Sequence, residues 1–157
     1  MSRFPAALPV ALTAVALAAC GQNTDNAGGN IDVAALSDVA GEWRLVHVYS
    51  GPSAPVSDTE ITLTLASDSI AVNAGCNQMT AGASVDQGIL TLDGPGLAST
   101  RMLCAPEVME QETWVADFVA AEPLLQHGGP VLTLGTDVEG RDIPESEVIS
   151  LSFERTS

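Results

Sequence analysis

From about Gly41 onward the chain is written in short alternating runs of apolar and polar residues. Trp43, Leu45 and His47 alternate with Arg44, Val46 and Val48. Ile61, Leu63 and Leu65 alternate with threonines, and Ile70, Val72 and Ala74 follow after the Asp68-Ser69 turn. Ala83 and Val85 precede an Asp86-Gln87-Gly88 turn, and Leu90 and Leu92 come after it. Leu132 and Leu134 flank Thr133, and Ile149, Leu151 and Phe153 alternate with polar residues near the end. A period of two puts one face of each run against a core, so these segments are expected to be half-buried strands.

One segment has a different period. Between Pro106 and about Ala121, apolar residues fall at Val108, Trp114, Val115, Phe118 and Val119. Spacings of three, four and seven predict a helix with one buried stripe. Pro106 suits its first turn, Glu107 and Glu110 suit the positive end of its dipole, and Pro123 with Gly128-Gly129 ends it. The expected fold class is therefore α+β, an antiparallel sheet with one α-helix. Two connections are too long for hairpins, Gly94 to Ser99 and the acidic stretch Gly135 to Glu147.

The amino-terminal part obeys neither period. Arg3 is followed by an apolar run from Phe4 to Ala19. That is shorter than the ~20 residues needed to span a bilayer, and it has the order of a secretory signal. Its end, Leu17-Ala18-Ala19-Cys20-Gly21, resembles the bacterial lipobox. The resemblance implies diacylglycerol on Cys20 and cleavage before it; two or three acyl chains anchor stably where one does not. Gly21, in place of the Asp that holds such proteins at the inner membrane, implies the outer membrane. Gly21 to about Asn30 is rich in Asn and Gly and reads as a tether, and Ile31 to Val39 as a short helical or irregular lead-in. The expected organisation is a signal peptide at 1–19, a lipidated Cys20 and tether at 20–37, and one domain at 38–157.

Composition narrows the function. Twenty acids against five basic residues, all arginine, give a formal charge of −15. Loss of Met1 to Ala19 removes Arg3 and no acid, making it −16. Nucleic-acid binding is excluded, since phosphate contacts need Lys and Arg. An apolar content of 46 % excludes disorder throughout, and three cysteines are too few for a disulfide-dense scaffold. No zinc spacing, catalytic triad motif or phosphate loop is visible, so no enzyme, metal or cofactor is expected. Asp137, Glu139, Asp142, Glu145 and Glu147 have part of the order of a calcium loop without its spacing, and read as a solvated acidic loop.

Cys76 and Cys104 remain in the domain. In an oxidising compartment they are expected to bond, closing a loop of about 28 residues worth roughly 3.5 kcal/mol. Two buried free thiols are the other reading.

These cysteines lie in a recognisable setting. Gly75-Cys76-Asn77, then Gly88-Ile89-Leu90-Thr91-Leu92, then Gly96-Leu97-Ala98-Ser99-Thr100-Arg101-Met102-Leu103-Cys104 resemble the META domain, whose members include heat-shock lipoproteins of the HslJ type. Gly41-x-Trp43-x-Leu45 resembles its opening strand and Val131 to Leu134 a late one. The likeness runs from about Asp38 to Arg155. It implies a curved antiparallel sheet, a partly open barrel, closed by the helix, and links to envelope stress, antibiotic tolerance, motility or virulence. Asn73 and Ala81 replace glycines of the pattern, Asn73 being tolerant of left-handed backbone and Ala81 having Gly82 beside it. Met79 stands at a position that is usually bulky.

Asn77, Thr100 and Arg101 are the candidate ligand or partner contacts. Their bland readings are an Asn bonding its own turn, a Thr bonding local backbone, and an Arg paired with one of many acids. His47 and His127 lack a partner group at any recognisable spacing and read as structural or exposed. Two functions fit. One is a monomeric, non-enzymatic lipoprotein of the outer membrane, facing the periplasm and binding an envelope protein in stress response or antibiotic tolerance. The other is a module that binds a small apolar ligand or lipid in a groove between helix and sheet, lined by Trp114, Phe118 and strand leucines.

Overall fold

A computed structural model describes residues 31–50, 54–137 and 141–156. The expected signal, Cys20 and most of the tether lie outside them, as does Glu139 of the acidic stretch.

Nine strands and one long helix follow in order: β1 (Ile31–Asp32), β2 (Gly41–Ser50), β3 (Thr62–Leu65), β4 (Ser69–Asn73), β5 (Gln78–Asp86), β6 (Ile89–Ser99), α1 (Pro106–Ala120), β7 (Leu124–Gly128), β8 (Val131–Gly135) and β9 (Ile149–Arg155). The class is α+β, as expected. All pairings are antiparallel and run β7-β6-β5-β4-β3-β2-β9-β8, with β8 pairing back to β7. The sheet thus curves into a ring without forming a regular barrel.

Local chemistry accounts for the tightest corner. Gln87 (φ 49°) and Gly88 (φ 81°) are both left-handed, the geometry of the two-residue hairpin loop that joins β5 to β6. A side chain on Gly88 would also collide with Asp32 and Leu124. The inward positions of the alternating runs fill the ring: Trp43, Leu63, Leu65, Ile70, Val72, Leu90, Leu132, Leu134, Leu151 and Phe153 are all buried. From α1, Val115, Phe118 and Val119 join this cluster.

Three expectations need correcting. Among the described residues, the stretch from Ile31 to Ser37, expected to be tether, already belongs to the fold. Val33, Leu36 and Val39 are buried in the core, and a 3-10 turn at Leu36–Val39 aims the Val39 carbonyl at the Trp43 indole N–H, 2.9 Å away. The short alternation of the lead-in hid this, because two residues of strand and one turn of 3-10 helix carry no measurable period. Every described element and buried side chain lies between residues 31 and 156, so the chain from residue 21 onward contains the whole described fold. Second, Gly94 to Ser99 is not a plain loop. It belongs to β6, whose pairing with β5 lapses after Gly82↔Asp93 and resumes at Thr80↔Ala98. Gly94 (φ 101°) and Gly96 (φ 140°) take the left-handed backbone this excursion requires. Third, Leu124 to Gly128 is strand rather than helix terminator, and forms a hairpin with β8 around Gly129-Pro130.

The ring has one thin seam. β6 and β7 share a single residue pair, Ile89↔Leu124, with backbone bonds Leu90 N–H to Pro123 O (3.0 Å) and Leu125 N–H to Gly88 O (2.7 Å). Beyond that pair β1 takes over the edge of β7 through Ile31↔His127 and Asp32↔Gln126, and Val33 N–H donates to Leu125 O at 3.0 Å.

Candidate functional site

The densest polar arrangement lies where the β4–β5 turn meets the end of β6 and the face of α1. Asn73 starts it. Its Oδ1 accepts from the Gly75 N–H at 2.9 Å, so Asn73 supports the turn with its side chain, and Gly75 (φ 111°) takes the left-handed backbone expected of Asn73. A side chain on Gly75 would strike Thr59 and Val108. At Gly82, beside Ala81, a side chain would press on that of Asp93.

The turn delivers Cys76 and Asn77 to α1. Cys76 is bonded to Cys104, with Cα atoms 6.4 Å apart, so the pair is a disulfide rather than two thiols. Asn77, 2 % exposed, does not bond its own turn as expected. Its Oδ1 accepts from the Thr100 hydroxyl at 2.9 Å and the Met102 N–H at 2.8 Å. Its amide donates to Glu112 Oε2 at 2.8 Å and more weakly to Met102 O at 3.4 Å. Glu112 Oε1 accepts from the backbone N–H groups of Cys76, at 3.1 Å, and of Asn77. Thr100 completes the set, accepting at Oγ1 from the Gln78 N–H at 3.1 Å.

Glu112 is 5 % exposed and its neighbour Gln111 is fully buried. Gln111 Nε2 donates to Ala74 O (2.7 Å) and Thr59 Oγ1 (2.8 Å), and its Oε1 accepts from the Ser57 N–H (2.6 Å) and hydroxyl (3.0 Å). No buried side-chain N or O among the described residues lacks a partner. Periodicity could not reveal these two residues. They stand on the buried face of α1 between Val108 and Val115, where a hydropathy pattern records only a gap in the stripe. The one available signal was their placement three and four residues after Val108, on the same face.

Because this network consumes its own donors and acceptors, its physical effect is to fix geometry. It holds α1 on one side and residues 99–103 on the other, and between them runs a groove of about 430 Å³. Met79, Leu97, Met102, Leu103, Met109 and Ala116 line it. Trp114 and Phe118 do not, contrary to expectation: Phe118 is buried in the core and Trp114 stacks on it, with ring centres 6.0 Å apart. A larger depression of about 880 Å³ beside β7, β8 and β9 is lined by polar and apolar groups in nearly equal share, Asp32, Gln126, Leu124 and Ile149 among them. Size favours it as a binding site, but the surface of the smaller groove is mostly apolar, as in sites that bind small molecules.

Arg101 also lines the groove and is exposed. It has neither ion pair nor hydrogen bond among the described residues, so the expected pairing with an acid is absent. The other described arginines are engaged. Arg44 faces Glu60 at 3.9 Å, Arg141 faces Glu122 at 3.7 Å, and Arg155 lies 4.4 Å over the Trp43 ring and bonds Ala40 O at 2.8 Å. His127 packs edge-on against Trp43 at 5.8 Å, a structural role, and His47 is exposed next to an irregularity in the β2–β9 pairing. No group of three or more His, Cys, Asp or Glu among the described residues could hold a metal ion.

A family model, the META domain, matches residues 34–143, most of the chain and the whole of this corner. The chain belongs to the META domain family. Its match starts within the lead-in, in keeping with the buried Leu36 and Val39. No curated protein matches the chain in sequence. Two proteins solved by NMR share the META chain's fold. One aligns with a TM-score of 0.52 and 20 % identity over 76 % of this chain and 93 % of its own. The other, from Burkholderia xenovorans, aligns with a TM-score of 0.52 and 17 % identity over 100 % of this chain and 99 % of its own. Among the described residues no helix is long and apolar enough to cross a membrane.

Proposed function

We propose that this META domain protein is a non-enzymatic binding protein of the bacterial envelope. A lipid on Cys20 tethers it to the outer membrane, with the domain facing the periplasm, and it acts in envelope stress response or antibiotic tolerance. The lipobox-like Leu17-Ala18-Ala19-Cys20 supports the anchor, and membership of the family supports the setting. The working surface is the groove along α1. The observation that carries this is a coincidence of two features: an apolar groove, and walls fixed by a disulfide and a fully bonded polar network, which cuts the ordering cost of binding.

Of the two occupants, an envelope protein and a small apolar ligand, the volume of about 430 Å³ favours the ligand, since it falls within the ~300–1,000 Å³ of small-molecule sites. Radiolabelled palmitate fed to cells making the full chain tests the anchor. Label is expected on the wild-type protein in the outer-membrane fraction and absent from Cys20→Ser. Unlabelled wild-type protein in the soluble periplasm would sink it. Pull-down from solubilised envelope tests the competing occupant; a stoichiometric protein partner lost on Leu103→Asp would transfer the groove to it.

A further inference from the structure

We infer that the groove takes an anionic single-chain amphiphile, its acyl chain along the methionine-lined walls and its carboxylate on Arg101. This rests on the reading of the groove as a ligand site and adds the chemistry of the ligand.

Three observations support it. First, the chain has four methionines, and all three that follow Met1 line this groove: Met79, Met102 and Met109. Methionine is unbranched and polarisable and adapts to flexible apolar partners, so its concentration at one surface marks a place built to receive one. Second, the apolar surface is left in water. Met102 is 54 % exposed and Leu103 98 %, although both follow the fixed Thr100 and precede the bonded Cys104. A loop held at both ends keeps these side chains out rather than letting them fold onto the core. Exposed apolar groups beside a groove gain most when a ligand covers them.

Third, the charge is selective. The chain carries −15 overall, and acids outnumber bases four to one, yet Arg101 stands unpaired among the described residues at this groove. In such a field a free guanidinium is the one local feature that favours an anion, and its planar fork matches a carboxylate. Two acids, Glu112 and Asp117, line the groove as well, so the preference for an anion depends on Arg101 alone. Glu112 Oε1 and Oε2 already accept from Cys76, Asn77 and the Asn77 amide.

The test uses residues 21–157 with methyl-labelled methionine, titrated in detergent-free buffer with dodecanoate, dodecanol and dodecyltrimethylammonium, the two ionic amphiphiles below their micelle concentrations and dodecanol below its solubility limit. Dodecanoate is expected to shift the Met79, Met102 and Met109 methyl signals together, and to bind about tenfold more tightly than dodecanol, with the cation weaker than both. Arg101→Gln, an exposed position, is expected to bring dodecanoate to the level of dodecanol and leave dodecanol unchanged. Equal binding of dodecanoate and dodecanol to the wild type, or an Arg101→Gln protein that keeps the preference, would overturn the anionic head group while leaving the groove a ligand site. If neither amphiphile moves the three methyl signals, the ligand reading of the groove falls as well, and the surface belongs to a protein segment.

Discussion

Two regions close this domain, and they do so by opposite means. At the Cys76–Cys104 corner, closure is overdetermined: a disulfide, a buried Asn, a buried Glu and a Thr hydroxyl tie the β4–β5 turn, the end of β6 and α1 together. At the β6–β7 seam, closure rests on one residue pair and a few backbone bonds, with the two residues of β1 completing the edge of β7. The corner uses side-chain specificity and the seam uses borrowed backbone. The difference shows where rigidity is invested. The corner forms a wall of the groove, and the seam keeps the ring shut.

The sharpest way to break this comparison is Glu112→Ala. It strands the N–H groups of Cys76 and Asn77 and the Asn77 amide inside the protein, which is expected to cost about 4 kcal/mol in urea unfolding. A loss below about 1 kcal/mol would mean that the disulfide alone holds the corner. Next in size is Cys76→Ser combined with Cys104→Ser, expected to cost about 3 kcal/mol, most of it through a less constrained unfolded chain. Because the two sets share the Cys76–Asn77 backbone, the triple variant is expected to depart from additivity, and strict additivity would separate the staple from the network. The smallest effect belongs to the seam. Val33→Ala is expected to cost about 1.5 kcal/mol and, more tellingly, to speed amide hydrogen exchange at Leu90 and Leu125 ahead of the core strands. If those amides exchange only with global unfolding, the seam is as firm as the corner.

The strands with clean alternation were legible in the sequence, and so was α1 from its start at Pro106, because both follow from one-dimensional periods. The seam was not. β1 is two residues long and β7 follows the helix after a three-residue gap, and each exists only because another strand offers it an edge. The candidate site was half legible. Asn77, Thr100 and Arg101 were singled out beside the cysteines, and the structure brings Asn77 and Thr100 into direct contact. Gln111 and Glu112 had only their place on the helix face to mark them, since burial of a polar residue depends on partners 35 to 54 positions away. Arg101 was expected to find an acid. Proximity in sequence to so many carboxylates could not show that, among the described residues, none would form an ion pair with it.

By itself the sequence determined the class of fold, the helix and its stripe, the hairpin turn at Gln87-Gly88, the acidity, and the pattern that marks the META domain. All of these are local or compositional, written in periods, left-handed turn residues and counts. Only the tertiary structure decided that the ring closes through β1, that Asn77 bonds outward instead of to its own turn, that all three methionines after Met1 share one groove, and that Arg101 is left over. These are non-local outcomes. A hydrogen bond or a packed surface is specified by two places in the chain at once, and the chain's one-dimensional pattern records each place separately.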